Sequence, residues 1–313
     1  MRDVDILHTI GHTPLVELRH CSPQPGVRLF AKLEGMNPTG SVKDRIVREM
    51  VLGAEQDGLL HPGDTLVEAS TGNTGIALAM VGRARGYAVH VVMPENVFPE
   101  IRRTLSAYGA TIQQVPADRG VRSAMEVARA LAQKNGWLLL DQFSNPRNVR
   151  AHYESTGPEI LEDLPHVDLF VAGLGTGGTA TGAGRRLKEA DARTQVIAVE
   201  PHPGYQVQGL KSLADGFIPP ILDFDVLDGK ILVRGRHAFR AAAELMKREA
   251  IFAGVSSGAV LHAALKVVPR LRRGNVVLLF ADSGWKYLGT DLWTKPPDGG
   301  DDDEEDLDDV IWW

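Results

Sequence analysis

One lysine stands out because of the residues around it. Lys43 lies in the run NPTGSVKDR at residues 37–45, directly after a tight polar turn. The pairs Asn-Pro and Thr-Gly end any helix that comes from upstream. Ser41, followed three residues later by Asp44, resembles a capping box that begins a new helix. Apolar residues then recur at helical spacing and would anchor this helix to a core: Ile46, Val47, Met50, Val51 and Ala54.

This position would give Lys43 unusual chemistry. Its amine would lie near the positive end of a helix, which disfavours a second positive charge. A lysine whose ammonium form is disfavoured is a candidate for Schiff-base formation. Taken alone, Lys43 also has the ordinary interpretation of a surface lysine, so the rest of the chain has to decide between the two.

A polar glycine loop at residues 68–75, with the sequence EASTGNTG, predicts an anion site. It follows a short apolar run at 65–67 and precedes the apolar segment 76–81, which reads as a buried helix. A strand, a glycine turn and a helix direct backbone N–H groups at an anion. Four side chains add further donors: Ser70, Thr71, Asn73 and Thr74. A carboxylate or a small phosphate would fit, although such loops are also common without a ligand.

A second glycine loop, GLGTGGT at residues 173–179, allows two interpretations. It follows the apolar segment 167–172, and its glycines match G-x-G-x-x-G. Glu200 ends the next predicted strand, at the distance where an acid that binds a dinucleotide ribose would lie. The loop could therefore serve a nicotinamide oxidoreductase. It could equally form a cup in which residues 175–179 donate N–H and hydroxyl groups to one phosphate monoester.

The elements that would position these loops alternate along the chain. At 313 residues the chain can hold one large or two ordinary domains. Predicted strands alternate with helical patterns at 28–33, 88–93, 111–115, 137–140, 170–172, 196–199 and 276–280. This alternation indicates an α/β fold with parallel sheets.

Together, the three segments resemble the fold-type II pyridoxal phosphate enzymes, whose fold is of the tryptophan synthase β type. Within that group the chain resembles the cysteine synthase (O-acetylserine sulfhydrylase) family, and most closely its B-type members. The likeness extends from IGHTPLV at 10–16 to DSGWKYL at 282–288. Three further motifs lie between them: DQFSNP at 141–146, HYESTGPE at 152–159 and GVSSGA at 254–259. A nicotinamide enzyme would not need the lysine motif, so the resemblance favours the phosphate cup.

The resemblance implies two parallel-sheet lobes with pyridoxal 5'-phosphate between them. Residues 1–37 and 148–297 would form the larger, cofactor-binding lobe, and residues 38–147 the smaller, mobile substrate lobe. Residues 298–313 would be a flexible tail, because the acidic block at 301–309 repels itself. The tail ends in Trp312 and Trp313, which would dock over the active-site mouth, on a dimer mate, on a partner protein or in a surface groove.

The resemblance also implies a role for each candidate site residue. Lys43 would form the Schiff base with the cofactor and move the Cα proton. Asn73 would bind the phenolic oxygen of the cofactor, and Ser256 would face its pyridine nitrogen. The cofactor phosphate would be held by Gly175, Thr176, Gly177, Gly178 and Thr179. The α-carboxylate of the substrate would be held by Ser70, Thr71, Thr74 and Gln142.

Lys211 aligns with a position where related enzymes carry arginine. A basic group there suits a phosphorylated serine as substrate, and lysine can pair with phosphate as a point charge. O-phospho-L-serine is therefore expected as a substrate beside O-acetyl-L-serine. The alternative is that Lys211 is a solvated lysine on a loop.

The function that the resemblance implies is a pyridoxal phosphate-dependent β-replacement, a transferase reaction of cysteine biosynthesis. A sulfur nucleophile would add to an α-aminoacrylate intermediate and give L-cysteine or an S-substituted analogue. The donor could be sulfide, thiosulfate or a carrier-protein thiocarboxylate, and the same chemistry could use homocysteine or a nitrogen nucleophile. A member of a different class, a partner-binding module without cofactor, is the remaining alternative. The presence together of Lys43, Asn73, Gln142 and Ser256 disfavours it.

Composition excludes several other classes. Cys21 is the only cysteine, so neither an intramolecular disulfide nor a thiolate metal cluster can form, and the ten histidines show no metal-ligand spacing. The net charge of −6 derives from the acidic tail, and the nearly neutral remainder gives no indication of nucleic-acid binding. No signal peptide or membrane-spanning run is recognised, which predicts a cytoplasmic protein. The resemblance adds a homodimer to this expectation.

Overall fold

The computed structural model describes residues 5–22, 24–117, 121–289, 293 and, for the backbone alone, 310–312. The fold is α/β. The strands are β1 (Leu15–Glu17), β2 (Val27–Leu33), β3 (Thr65–Ala69), β4 (Ala88–Pro94), β5 (Thr111–Val115), β6 (Leu138–Leu139), β7 (Leu169–Gly173), β8 (Gln195–Pro201), β9 (Gly229–Val233), β10 (Gly274–Phe280) and β11 (Val310–Trp312). The α-helices are α1 (Lys43–Gln56), α2 (Asn73–Arg85), α3 (Pro99–Ala107), α4 (Val121–Asn135), α5 (Pro146–Ala151), α6 (Gly157–Asp163), α7 (Gly178–Ala190), α8 (Gly235–Glu249) and α9 (Val255–Val267).

The chain divides into two compact units. Unit 1 comprises the residues up to Gly11 and Asn37–Asn148, and unit 2 comprises His12–Met36 and the residues from Val149 onward. Residues 5–11 thus belong to unit 1, whereas the resemblance assigned them to the larger lobe. Hydrogen bonds tie these residues to unit 1: Asn37 Oδ1 accepts the N–H of Gly11 at 2.9 Å, and Arg48 donates to the carbonyl of Ile10 at 2.8 Å.

Unit 1 contains a four-stranded parallel sheet in the order β5-β4-β3-β6. Helix α4 covers one face through a small apolar core: Val67, Ala69, Val92, Val115, Ala124 and Ala128. Helix α2 is buried from Thr74 to Gly82, which confirms the buried helix predicted for 76–81. An apolar helix of this kind is stable only when protein surrounds it.

Unit 2 contains a seven-stranded sheet in the order β1-β2-β10-β7-β8-β9-β11. The five central strands are parallel and strongly apolar, as is usual for strands covered on both faces. The two edge strands, β1 and β11, are antiparallel to their neighbours. The sheet is therefore mixed at its edges, although its core has the predicted parallel arrangement.

Residues 310–312, at the end of the predicted tail, form a β-strand. Val310–Trp312 pairs through its backbone with Gly229–Ile231 of β9, so the end of the chain adds a strand to the sheet of unit 2. The prediction that residues 298–309 are flexible lies outside the described residues. Within the described part of the chain, no helix is long and apolar enough to cross a membrane.

Candidate active site

Lys43 is the first residue of α1 and is half-buried. The residue before the helix is Val42, which provides no side-chain cap, whereas Ser41 Oγ accepts the N–H of Lys43 at 3.3 Å, so Ser41 binds the start of the helix without forming the predicted box with Asp44. Asp44 instead accepts the N–H of Thr39 at 2.7 Å and also its hydroxyl group. This buried carboxylate ties the polar turn to the first helical turn, and Lys43 starts the helix as the sequence predicted.

The loop at 70–75 is organised by one of its own side chains. The oxygen of the buried Ser70 hydroxyl accepts the N–H of Gly72 at 3.1 Å and that of Gly75 at 2.9 Å. Since both contacts use the oxygen as an acceptor, they leave its hydrogen for another partner. Thr71 is exposed, Asn73 begins α2, and the residue before the helix, Gly72, has no side chain, so Ser70 is the side chain that binds an N–H of the first turn, at Gly75. The first turn of α2 therefore offers the electropositive end that an anion requires.

Gln142 and Thr74 meet beside this loop within unit 1. The Thr74 hydroxyl donates to Gln142 Oε1 at 2.7 Å, and Gln142 Nε2 donates to the carbonyl of Ala69 at 3.2 Å. Both side chains are buried. A primary amide has two hydrogens, and this contact with Ala69 uses one of them. The structure thus brings together residues 68 positions apart that were both predicted to bind the substrate carboxylate.

The loop at 173–179 in unit 2 is tight. A Cβ atom on Gly175 would lie 2.9 Å from the carbonyl oxygen of Gly209, and one on Gly177 would lie 2.9 Å from Leu222 Cβ. Gly177 also has a φ of +87°, which L-residues with a side chain rarely adopt. Helix α7 begins at the next residue, Gly178, whose N–H donates to Thr176 Oγ1 at 3.4 Å. Thr176 and Thr179 are buried and contribute hydroxyl groups to the loop.

The segment around Lys211 lies against this loop. The N–H of Lys211 donates to the carbonyl of Leu174 at 2.8 Å. Ser256 is buried in the first turn of α9, and a Cβ atom on Gly209 would lie 3.7 Å from its Oγ. Unit 2 therefore brings together three sets of candidate residues that are far apart in sequence: the glycine loop, the segment around 209–211 and Ser256.

His152 supports the glycine loop, a role that the sequence did not reveal. Its Nε2 lies 3.1 Å from Thr179 Oγ1, and its Nδ1 lies 2.9 Å from Thr156 Oγ1. The ring is buried in a π-helical turn, His152–Thr156, and such turns are frequent at functional sites. The motif at 152–159 contributed to the resemblance, but nothing in the sequence shows which of its side chains reaches α7.

Glu200 is not placed to bind a ribose. This carboxylate is fully buried, forms a salt bridge with Lys230, and accepts the N–H of Leu213 at 2.7 Å through its second oxygen. A ribose-binding acid needs carboxylate oxygens that face the ligand. Because both oxygens of Glu200 have internal partners, the structure removes the support for a dinucleotide site.

Glu68 is a second residue that sequence reasoning missed. It is 2 % exposed at the end of β3, two positions before Ser70. Its Oε1 accepts the N–H of Ala69 at 3.1 Å. Burial, and then the neighbouring charge of Asp141, raise the pKa of Glu68 to about 8. The sequence signal that could have singled out Glu68 is a charged residue next to an apolar predicted strand.

Each unit, taken by itself, holds residues whose chemistry suits a part of pyridoxal phosphate. In unit 2, the start of α7, backbone N–H groups and two threonine hydroxyls suit a phosphate monoester, in a loop where a Cβ at Gly175 would meet the carbonyl oxygen of Gly209. Ser256 supplies a hydroxyl that can bind a pyridine nitrogen. In unit 1, Lys43 supplies the amine, and Asn73 supplies an amide at the start of α2.

Comparison with known proteins agrees with this chemistry. The family model described as pyridoxal-phosphate dependent enzyme matches residues 6–282. Cysteine synthase B of Salmonella typhimurium is 40% identical over 283 residues, which cover 90% of this chain and 93% of that protein. Cysteine synthase of Aquifex aeolicus is 42% identical over 300 residues, with 92% of each chain covered.

Solved structures show the same relationship. The structure of O-ureido-L-serine synthase superposes with a TM-score of 0.88 at 40% sequence identity, over 95% of this chain and 97% of that one.

Proposed function

Because this chain belongs to the family of pyridoxal-phosphate dependent enzymes, we propose that it is a cysteine synthase. The predicted resemblance, the fold-type II architecture and pyridoxal phosphate as cofactor are confirmed by the family match and the relatives. The proposed reaction replaces the β-substituent of an O-activated L-serine with a sulfur nucleophile, which makes the enzyme a transferase. The observation that carries the proposal is the 40% identity to cysteine synthase B over 90% of the chain.

Lys43 and Ser256 are proposed to act on the cofactor side. When bound, pyridoxal phosphate withdraws electrons from the Cα of an amino acid, so that its proton is lost and a β-substituent can leave. Lys43 Nζ would hold the cofactor and, with the substrate bound, would accept the proton from Cα. Ser256 donates to the pyridine nitrogen but cannot stabilise a protonated ring as a carboxylate would. This limits the lifetime of negative charge at Cα and favours β-elimination over transamination.

The loop of unit 1 is proposed to hold the substrate carboxylate. Ser70 contributes the hydroxyl hydrogen that its contacts with Gly72 and Gly75 do not use. Thr71, which is exposed, and the Thr74–Gln142 pair complete the polar lining. The positive end of α2, which begins at Asn73, adds a favourable field for the anion.

The leaving group is acetate or phosphate in this proposal. Lys211 is half-buried and its backbone is fixed to Leu174 beside the glycine loop of unit 2. An ammonium group held there would favour the departure of either anion, and of dianionic phosphate more strongly. The sulfur donor is proposed to be sulfide, thiosulfate or a thiocarboxylate, and the enzyme to act as a cytoplasmic homodimer, as the resemblance implies.

A second candidate uses the same half-reaction with another nucleophile. The likeness to O-ureido-L-serine synthase, with a TM-score of 0.88 over 95% of this chain, favours it. In O-ureido-L-serine the atom joined to the β-carbon is oxygen, so hydroxyurea is the corresponding nucleophile.

The test is an absorbance and product assay on the purified chain loaded with pyridoxal phosphate. We expect a visible band that changes on addition of O-acetyl-L-serine or O-phospho-L-serine, and L-cysteine once sulfide is added. Parallel reactions with thiosulfate and hydroxyurea rank the nucleophiles. Lys43→Ala should lower turnover by at least about a thousandfold, whereas Lys247→Ala, on the exposed side of α8, should not. A chain that stays colourless with added cofactor would contradict the proposal.

A further inference from the structure

Glu68 lies directly beneath the loop that the proposed function assigns to the substrate carboxylate. It is the fourth of the five residues of β3, and Ser70 begins the loop two positions later. Only one of its oxygens has a partner: Oε1 accepts the N–H of Ala69, while Oε2 is buried without a hydrogen-bond partner among the described residues. A buried carboxylate with an unsatisfied oxygen is costly, but a carboxylic acid in the same place is not.

Burial and the charge of Asp141 raise the pKa of Glu68 and outweigh the backbone N–H groups of Ala69, Gln142 and Asp141, which lower it. Register places Val91 of β4 opposite it, and Gly75 in the first turn of α2 approaches both Val91 and Ser70. Asp141, after β6, is the charged group whose field acts on Glu68, and Arg129 of α4 pairs with Asp141 at 3.7 Å.

The other titratable groups of these elements lie elsewhere. His90 of β4 stacks on Trp137, on the opposite face of the sheet, since successive strand residues alternate. The basic residues of α2 are in its last turn, at the far end from Gly75. No basic side chain of β4, β6 or α2 thus compensates Glu68 within the described part of unit 1, and its pKa is raised to about 8.

We propose that Glu68 is a positioning residue that acts as a neutral carboxylic acid and keeps the floor of the loop free of negative charge where the substrate carboxylate binds. This inference rests on the proposed function, because it requires that the loop bind an amino acid. Ser70 is about 7 Å from Glu68 along the strand, so a charge on Glu68 would act on a bound carboxylate through protein rather than through water. Ionisation of Glu68 would then weaken amino acid binding, as like charges do.

The experiment compares the wild-type holoenzyme with Glu68→Gln, which keeps the shape of the side chain but cannot ionise. The probe is L-serine, which has the amino acid carboxylate but a hydroxyl that does not leave readily, and its Kd is read from the visible absorbance. We expect the ratio of wild-type to variant Kd to be about one near pH 7 and about ten near pH 9. Titration of the L-serine amine affects both proteins equally and cancels in the ratio. Glu162→Gln, an exposed residue of α6, should keep the ratio near one throughout.

A second measurement reports the proton directly and needs no variant. The infrared difference spectrum of the wild-type protein between about pH 6.5 and about pH 9.5 should show a buried carboxylic acid band that disappears at the higher pH. A Kd ratio that stays near one while L-serine still binds would overturn the role of Glu68 and leave the proposed function intact. If the chain takes up no pyridoxal phosphate, the proposed function fails, and with it the role assigned here.

Discussion

The two glycine loops share a plan but are held by different means. In unit 1 the loop after β3 is organised from within, since Ser70 binds the N–H groups of Gly72 and Gly75. In unit 2 the loop after β7 is held from outside, by Gly209, Leu222 and His152. Gln142 is the distant residue that adds to the loop of unit 1, through Thr74 and Ala69. A loop packed between distant segments suits a resident phosphate, whereas a loop held mainly by its own hydroxyl suits a substrate carboxylate that comes and goes.

The buried glutamates near the two loops differ in their partners. Glu200, next to the loop of unit 2, is matched by Lys230 and supports Leu213. Glu68, beneath the loop of unit 1, has no such cation, and its pKa is raised to about 8. A buried glutamate can thus be paired with a cation, as Glu200 is with Lys230, or lie beside another acid, as Glu68 does beside Asp141.

Removal of the charge of Glu200 should lower the stability of the protein, and this is the largest effect that we expect. Glu200→Gln leaves Lys230 with an uncompensated charge in a site where its side chain is 17% exposed, so we expect a loss of about 3–5 kcal/mol in the free energy of unfolding. Denaturant unfolding measures it. The double variant Glu200→Gln, Lys230→Met should recover part of the loss, because no charge is then left unpaired. Equal stability of the single variant and the wild type would contradict a stabilising role of the Glu200–Lys230 pair.

Glu68→Gln should have the opposite effect on stability and become more stable than the wild type as the pH rises. The folded protein keeps the proton of Glu68 up to its pKa of about 8, whereas the unfolded chain releases it at the ordinary value of 4.5. The stability that Glu68 contributes is therefore complete below about pH 4.5 and falls as the pH rises to about 8, by about 1.4 kcal/mol per pH unit and up to about 5 kcal/mol in total.

Unfolding curves at several pH values test this sign. The variant should gain on the wild type between about pH 5 and about pH 8, and the difference should be constant above that range. A difference that does not change with pH would show that Glu68 is ionised, or equally titrated, in both states.

Gly175→Ala tests the loop of unit 2. The added Cβ would lie 2.9 Å from the carbonyl oxygen of Gly209, and backbone on both sides prevents easy relief. We expect a loss of about a hundredfold in affinity for pyridoxal phosphate, equivalent to about 2.7 kcal/mol. Spectrophotometric titration of the cofactor-free protein measures it. Unchanged affinity would mean that this cradle does not hold the phosphate.

Thr74→Val is the matching change in unit 1. It removes the donor to Gln142 Oε1 while the volume of the side chain is kept. We expect the KM for O-acetyl-L-serine to rise about tenfold, equivalent to about 1.4 kcal/mol, with cofactor affinity unchanged. Should Thr74→Val lose cofactor and Gly175→Ala lose only substrate affinity, the division of labour between the loops is reversed.

The difference between the loops also explains what the sequence could predict. The strand–loop–helix pattern at 65–81 is local, and α2 is buried as its apolar run predicted. The contacts of Gly175 with Gly209, and of Thr179 with His152, join segments that only the fold brings together. The motifs were thus enough to propose the candidate site residues, but not to predict which distant residues support them.

Strand boundaries show a related limit. The apolar run at 65–67 ends before Glu68 because glutamate is charged in water, yet β3 continues through it to Ala69. Burial changes the state of the side chain, and the sequence pattern does not register that change. Strands β1, β9 and β11 also escaped prediction; β1 and β11 are edge strands of only three residues, too short for a periodic signal.

Deletion of residues 298–313 should have the smallest effect, and it bears on unit 2 alone. It removes β11, whose Ile311 is paired in the ladder with Lys230, the partner of Glu200. Loss of a three-residue edge strand should cost about 1 kcal/mol of stability and expose the edge of β9 to other chains. Unfolding and light scattering should therefore show slightly lower stability and concentration-dependent self-association, with the KM for O-acetyl-L-serine unchanged. A large change in KM instead would mean that the tail acts on the substrate site as well as on the edge of β9.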